Sequence, residues 1–189
     1  MRIGVLGGTF DPIHIGHLAA ARAAIECAGL DRVLLIPTGV PPHRPPAVAG
    51  AEDRLEMSRL AVAGDPRFEV SDIELRRGGA SYTVDTLREL RGRCPDDQLF
   101  LILGWDAAKL IASWREPEEV RRLARVIVVT RPRSGTPVTS SEILCERPTP
   151  DISGSALRAA LRRGETVTDK LPQAVADYIA TNGLYGDNR

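Results

Sequence analysis

Four short apolar runs, Ile3 to Leu6, Val33 to Ile36, Leu99 to Leu103 and Val126 to Val129, stand at wide intervals along the chain. None alternates polar with apolar, so each predicts a strand buried on both faces, the pattern of a parallel sheet covered by helices. The stretches between them carry helical patterns. Gly16 to Ala28 is almost all Ala, Leu and Ile apart from Arg22 and Glu26, as suits a helix packed closely on a sheet, and Gly29 supplies its stop. Ala51 to Ala63 sets Leu55, Leu60 and Val62 among charges, and Thr83 to Arg91 turns Val84, Leu87 and Leu90 toward one side. Both predict amphipathic crossover helices. Over 117–124, Pro117 fits a first helical position, with Glu118 and Glu119 early and Arg121, Arg122 and Arg125 late, so the charges complement the helix dipole. Leu171, Val175, Tyr178 and Ile179 fall at i, i+4, i+7 and i+8, predicting a docked terminal helix between Pro172 and Gly183.

Strands alternating with helices imply an α/β fold, a single Rossmann-like, doubly wound, mostly parallel sheet with right-handed crossovers and a helical C-terminal segment from about residue 153. One domain is expected over residues 1–189. Thr38 to Gly50, with Pro41, Pro42, Pro45 and Pro46, and Arg131 to Pro150 read as loops. A 189-residue chain that is 43% hydrophobic and 26% charged can bury a sizeable core, which excludes a disordered chain, a collagen and a coiled coil.

Lys+Arg and Asp+Glu number 25 each, so there is no net field to favour nucleic acid or an anionic membrane, and neither is expected as a partner. Phosphate recognition has to be local. Cys27, Cys94 and Cys145 are odd in number and lack CxxC spacing, in a chain too large to need staples, which predicts reduced thiols and a cytoplasmic setting. No apolar run approaches the roughly 20 residues of a membrane span, and MRIGVLGG reads as a strand, not as a signal peptide. Homo-oligomerisation is left open.

The first strand leads into GGTFDPIHIGHL, Gly7 to Leu18, at the place in an open α/β sheet where ligands bind. Gly7 and Gly8 let backbone N–H groups approach an anion, and the following helix N-terminus adds partial positive charge. His14 and His17 are three apart, so with a helix beginning near Ile13 they share one face of its first turn and both can reach one polyphosphate. Zinc ligation and ordinary capping and packing compete for this pair, yet HxxH lacks the i, i+4 spacing of HExxH helices and no third ligand is evident. The glycines match neither GxGxxG nor a Walker A loop, which disfavours hydride chemistry and ordinary ATPase machinery.

GGTFDPIHIGHL resembles the T/HxGH signature of the nucleotidyltransferase superfamily that includes class I aminoacyl-tRNA synthetases, with Ile15 and Gly16 completing HIGH. PTGVPPHR, SYTVDTL, GWDAAKLIASW, ISGSALR and the closing YIATNGLY are similar, in order and over nearly the whole chain, to the bacterial nicotinate mononucleotide adenylyltransferases. The resemblance implies transfer of AMP from ATP to nicotinate mononucleotide, with Mg²⁺ bridging the polyphosphate. It implies ATP contacts from Gly8, Thr9 and Phe10, from the catalytic set His14, His17 and Arg158, from Gly104 and Asp106 of a GxD motif, and from Ile152, Ser153 and Ser155. For the mononucleotide it implies His43, Arg44, Arg131, Tyr82, Thr83 and Trp114.

The residue chemistry agrees with these roles. His43 and Arg44 end a proline-stiffened loop and bring donors to a phosphate at low ordering cost; the family usually has Lys where Arg44 stands. Ser153 precedes a helix with apolar Leu157, Ala160 and Leu161, and reads as its cap. Arg158, one turn in, leans back toward any anion at that N-terminus. Gly154 and Ser155 stand where the family has Ser or Ala and then Thr, and Trp105 replaces a small residue in GxD, to pack outward or to reshape the adenosine side. Asp106 follows a strand at a position that can accept from ribose hydroxyls. Trp114 can stack on a pyridine ring, with core filling the competing use, while Tyr82 and Thr83 can bond a carboxylate. Asp11 is expected to organise its loop and not to bind metal. Two other readings remain: a phosphopantetheine adenylyltransferase-like enzyme, and a noncatalytic nucleotide-sensing module.

Overall fold

The structure, a computed structural model, describes residues 1–42, 45–130 and 142–186. Its sheet has six strands: β1 (Arg2–Gly8), β2 (Arg32–Pro37), β3 (Phe68–Val70), β4 (Gln98–Gly104), β5 (Arg125–Thr130) and β6 (Ile143–Glu146). Their spatial order is β3-β2-β1-β4-β5-β6, and every pair is parallel. The chain starts mid-sheet, builds outward to β3, then returns to β4 on the other side of β1. That reversal makes the carboxyl ends of β1 and β4 the switch point at which doubly wound folds open a crevice.

Successive residues of a strand face opposite sides, and here both sides are apolar. Val33 and Leu35, Phe100 and Ile102, and Ile127 and Val129 face a layer formed by α1 (Ile15–Ala28), α2 (Ala51–Val62), α7 (Gly154–Arg162) and α8 (Gln173–Thr181). Their neighbours Leu34 and Ile36, Leu101 and Leu103, and Val126 and Val128 face α3 (Ile73–Arg77), α4 (Thr83–Arg93), α5 (Trp105–Lys109) and α6 (Pro117–Leu123). The double burial is why these strands read as unbroken apolar runs. Gly4 is the exception within β1: a Cβ there would stand 2.8 Å from Leu30 Cδ1 and 2.9 Å from Ile102 Cδ1, so the bare backbone lets the first layer close on the sheet.

Several elements depart from the sequence expectation. The helix read from Gly16 starts at Ile15, and His14, not Ile13, stands before it. β3 spans three residues and β6 four, at the two edges of the sheet. β6 falls inside the stretch read as a loop from Arg131 to Pro150. Cys27 and Cys145, read as reduced thiols, are joined as a disulfide linking α1 to β6. They are 118 residues apart in sequence and meet only because α1 packs across the sheet toward that edge, a proximity that spacing cannot display. Cys94 is free. Among the described residues no helix is long and apolar enough to cross a membrane.

Candidate active site

Two cavities open at the switch point, one on each side of the end of β1. The larger, about 770 Å³, is walled by Gly7–Pro12, by His14 before α1 and Gly16 and His17 within it, by the β4–α5 junction and by Pro150–Gly154 with Arg158. The smaller, about 310 Å³, lies toward β2 and α4, with Ser81, Tyr82, Thr83 and Trp114 on its wall. Gly7, Gly8 and Thr9 line both. The first glycine loop is thus the partition at which occupants of the two cavities would meet.

The loop is shaped by close contacts. A Cβ on Gly8 would come within 2.7 Å of the Phe10 ring, which is itself buried. Phe10 has φ +48°, a left-handed conformation that costs a non-glycine residue about 1 kcal/mol. Its ring meets His17 edge-on, with centroids 5.0 Å apart. His14 is the residue before the first turn of α1, and its backbone N–H donates to His17 Nδ1 at 3.2 Å. Because Nδ1 accepts that bond, the ring proton of a neutral His17 belongs on Nε2, which is then a donor. The two imidazoles stack 3.6 Å apart. Burial pushes His14 down to about 4; His17 lies well below its ordinary value through burial and, second, the neighbouring His14. Gly16 makes room for this stack, since a Cβ there would lie 3.0 Å from His14 Nδ1 and 3.4 Å from the Pro150 carbonyl oxygen.

Arg158 reaches back from α7 as its helical position predicts. Its Nη1 donates to the Asp11 carbonyl oxygen at 2.6 Å and lies 3.5 Å from Asp11 Oδ2, while its buried Nε has no hydrogen-bond partner among the described residues. An unpaired buried donor costs about 1–3 kcal/mol, which an anion in the cavity would recover. Ser153 stands at the cap position of α7, but its hydroxyl bonds Ser155 Oγ at 2.7 Å and caps no backbone amide, which corrects the expected capping role. Ile152 and Ser153 line the larger cavity; Ser155 does not. Gly104, Trp105 and Asp106 all line it, and Trp105 also packs against the second core layer. The Asp106 side chain is 94% exposed and pairs with Lys109 Nζ at 2.8 Å.

On the other side, Tyr82 precedes α4, Thr83 opens it, and Trp114 follows a short 3-10 turn at Ile111–Ser113. The Arg115 guanidinium lies 4.8 Å from the Tyr82 ring centroid. Glu74, buried in the same wall, accepts from Thr86 Oγ1 at 2.8 Å, and burial raises its pKa. His43, Arg44 and Arg131 lie outside the described residues.

Three buried polar residues beneath the site carried no sequence signal as such. Arg54 donates through Nη1 to the carbonyl oxygens of Thr9 (2.8 Å) and Thr38 (2.7 Å), tying the ends of β1 and β2 together. Glu74 is the second. Tyr185 is the third; its hydroxyl donates to Asp11 Oδ1 at 2.8 Å. Asp11 also accepts from the N–H groups of Val48 and Ala49, at 2.8 and 3.0 Å, so it organises the loop as expected.

Residues 5–160 match the cytidylyltransferase-like family. A protein named probable nicotinate-nucleotide adenylyltransferase from Thermus thermophilus is 48% identical over 98% of this chain and 100% of its own length. One of the same name from Citrifermentans bemidjiense is 43% identical, covering both chains fully. Among solved structures, a Plasmodium falciparum nicotinic acid mononucleotide adenylyltransferase complexed with NaAD superposes with a TM-score of 0.81 at 19% identity, covering 97% of each chain, a likeness of fold. With the crevice at β1 and β4, the paired histidines and Arg158 in one wall, and relatives matched from end to end, the chain belongs to the cytidylyltransferase-like family and, within it, to the nicotinate-nucleotide adenylyltransferases.

Proposed function

We propose that this enzyme transfers AMP from ATP to nicotinate mononucleotide, releasing pyrophosphate and forming nicotinate adenine dinucleotide (deamido-NAD) in NAD biosynthesis. The observation that carries the reading is the pair of cavities meeting at Gly7–Thr9, in a chain 48% identical over 98% of its length to a relative named for this reaction. A mononucleotide phosphate oxygen attacks the α-phosphorus, the bond to the bridging oxygen breaks, and pyrophosphate leaves, so catalysis is alignment plus stabilisation of charge.

His17 Nε2–H, His14 and the free edge of Arg158 are assigned to the ATP phosphates, with the loop at Gly8, Thr9 and Phe10 and the residues Ile152 and Ser153 closing around the nucleotide. Ser155 acts through Ser153, to which it bonds. Gly104 and Asp106 are assigned to the adenosine ribose. Tyr82, Thr83 and Trp114 take the nicotinate ring and carboxylate, and His43, Arg44 and Arg131 the acceptor phosphate. Mg²⁺ is the proposed companion ion; it would be carried mainly by the substrate and would offset polyphosphate charge, with no cluster of three or more His, Cys, Asp or Glu among the described residues to hold it. Asp11 does not fit as its ligand, because both its oxygens already accept hydrogen bonds. We place the reaction in the cytoplasm, where ATP is supplied, and infer no nucleic-acid partner.

The test is pyrophosphate release with ATP and Mg²⁺, comparing nicotinate mononucleotide, nicotinamide mononucleotide and phosphopantetheine as acceptors. Preference for the nicotinate acceptor is expected. Release with phosphopantetheine alone would reassign the acceptor, and release with none would leave a nucleotide-binding module.

A further inference from the structure

Beneath the larger cavity, one buried carboxylate joins four segments distant in sequence. Asp11 accepts from Val48 N and Ala49 N before α2, from Tyr185 Oη beyond α8, and lies 3.5 Å through Oδ2 from Arg158 Nη1 of α7. A buried carboxylate and guanidinium left to themselves form a two-bonded fork. Here they do not: Arg158 Nη1 makes its 2.6 Å bond to the backbone oxygen of Asp11, while Asp11 Oδ1 is filled by Ala49 N–H and the Tyr185 hydroxyl and Oδ2 accepts from Val48 N–H, so the fork lacks its second oxygen. The guanidinium is therefore held beside Asp11 without being absorbed by it, and among the described residues its Nε has no partner in the cavity wall.

We infer that Tyr185 is a positioning residue for the ATP side of the reaction, acting through Asp11 on Arg158; the inference rests on the function proposed above. Two observations separate this from simple packing. The ring is buried among the helices of its layer, a task phenylalanine would perform as well, yet the hydroxyl is spent on a catalytic-loop carboxylate. Tyr185 also has φ +65°, a conformation unfavourable for a non-glycine residue and one that the buried bond helps to hold. Burial, and then Asp11, push the phenol far above its ordinary value, so it stays a donor across the working range of pH.

Removing the hydroxyl frees a lone pair on Asp11, which then competes with substrate for the Arg158 guanidinium. For Tyr185→Phe the expectation is about five-fold weaker binding of a nonhydrolysable ATP analogue, measured by calorimetry, as befits the loss of one hydrogen bond. kcat/KM for ATP should fall by a similar factor, with kcat/KM for nicotinate mononucleotide at saturating ATP nearly unchanged. In an Arg158→Lys background, where the fork geometry is gone, the same substitution should have a factor near one. An equal loss in both backgrounds, no loss in either, or a loss confined to the mononucleotide would overturn the inference. If circular dichroism shows Tyr185→Phe less folded than the parent, Asp11→Asn tests the relay with the opposite sign: with no carboxylate to compete for Arg158, analogue binding should be unchanged or tighter, and a five-fold loss would overturn the inference. Turnover of the parent chain tests the assigned reaction by itself, while analogue binding tests the relay whether or not turnover occurs.

Discussion

The imidazoles of His14 and His17 lie stacked with 3.6 Å between ring centroids and 22° between planes, and the backbone N–H of the first donates to Nδ1 of the second. Two cations at that distance would repel, and desolvation disfavours the charge on each ring, so the free enzyme holds them neutral. A polyphosphate bound between the β1 loop and α1, as proposed, would supply the missing opposite charge and raise both values. Between the free value of about 4 for His14 and its higher value in the complex, the complex binds more protons than its parts. ATP binding is therefore expected to take up protons at pH 5 to 6, and affinity to rise as pH falls into that window. Calorimetry at pH 5.5 in two buffers of different ionisation enthalpy measures the uptake directly; identical heats would refute the linkage.

His17 serves both the fold and the site, in unequal amounts. Its Nδ1 satisfies one backbone donor at the start of α1, a contribution of about 1 kcal/mol to stability. Its Nε2–H is assigned to charge that develops in the transition state, where loss of one such donor costs roughly 10²–10³ in turnover. His17→Ala should thus lower kcat by at least two orders of magnitude while the unfolding midpoint moves by only a few degrees. Near-normal turnover in a folded variant would remove His17 from the mechanism.

What was legible in the chain follows from which physical features leave a periodic trace. The central strands announced themselves because residues such as Leu34 and Leu35 face opposite layers that are both apolar. β3 and β6 were missed because, at three and four residues on the sheet edges, they are too short to carry a period and are not buried on both sides. The histidine pair was visible as a spacing, and Arg158 as one turn from a helix start. The network under them was not. Arg54 looks in sequence like any charge on an amphipathic helix, and only tertiary contact aims it at the Thr9 and Thr38 carbonyls. Cys27 and Cys145 likewise meet through topology alone.

Asp106 is assigned to the ribose, yet in this structure it is paired with Lys109 Nζ at 2.8 Å on an exposed turn. An exposed pair of this kind contributes little to stability, from nothing to about 1 kcal/mol. Lys109→Ala should therefore leave the unfolding midpoint unchanged and leave KM for ATP equal or lower, since a competitor for the carboxylate is removed. Asp106→Asn should raise KM for ATP several-fold with the same midpoint. A rise in KM from Lys109→Ala instead would show that the lysine, and not the aspartate, serves the nucleotide.

The disulfide between Cys27 and Cys145 makes the one prediction that separates structure from sequence expectation most directly. Reduced thiols were expected from the composition, whereas the structure closes a loop of 118 residues between the end of α1 and the edge strand β6. Cross-linking a loop of that length restricts the unfolded chain by about 5 kcal/mol in the chain-entropy account, so reduction should lower the unfolding midpoint by on the order of 10 °C. Cys145 is wholly buried, so a reductant must wait for local opening or reach the bond through the exposed Cys27. The protein purified without reductant and unfolded in denaturant should titrate one thiol, Cys94, rising to three after reduction. Three thiols before reduction would mean that α1 and β6 are held by packing alone, and the midpoint would then be insensitive to reductant.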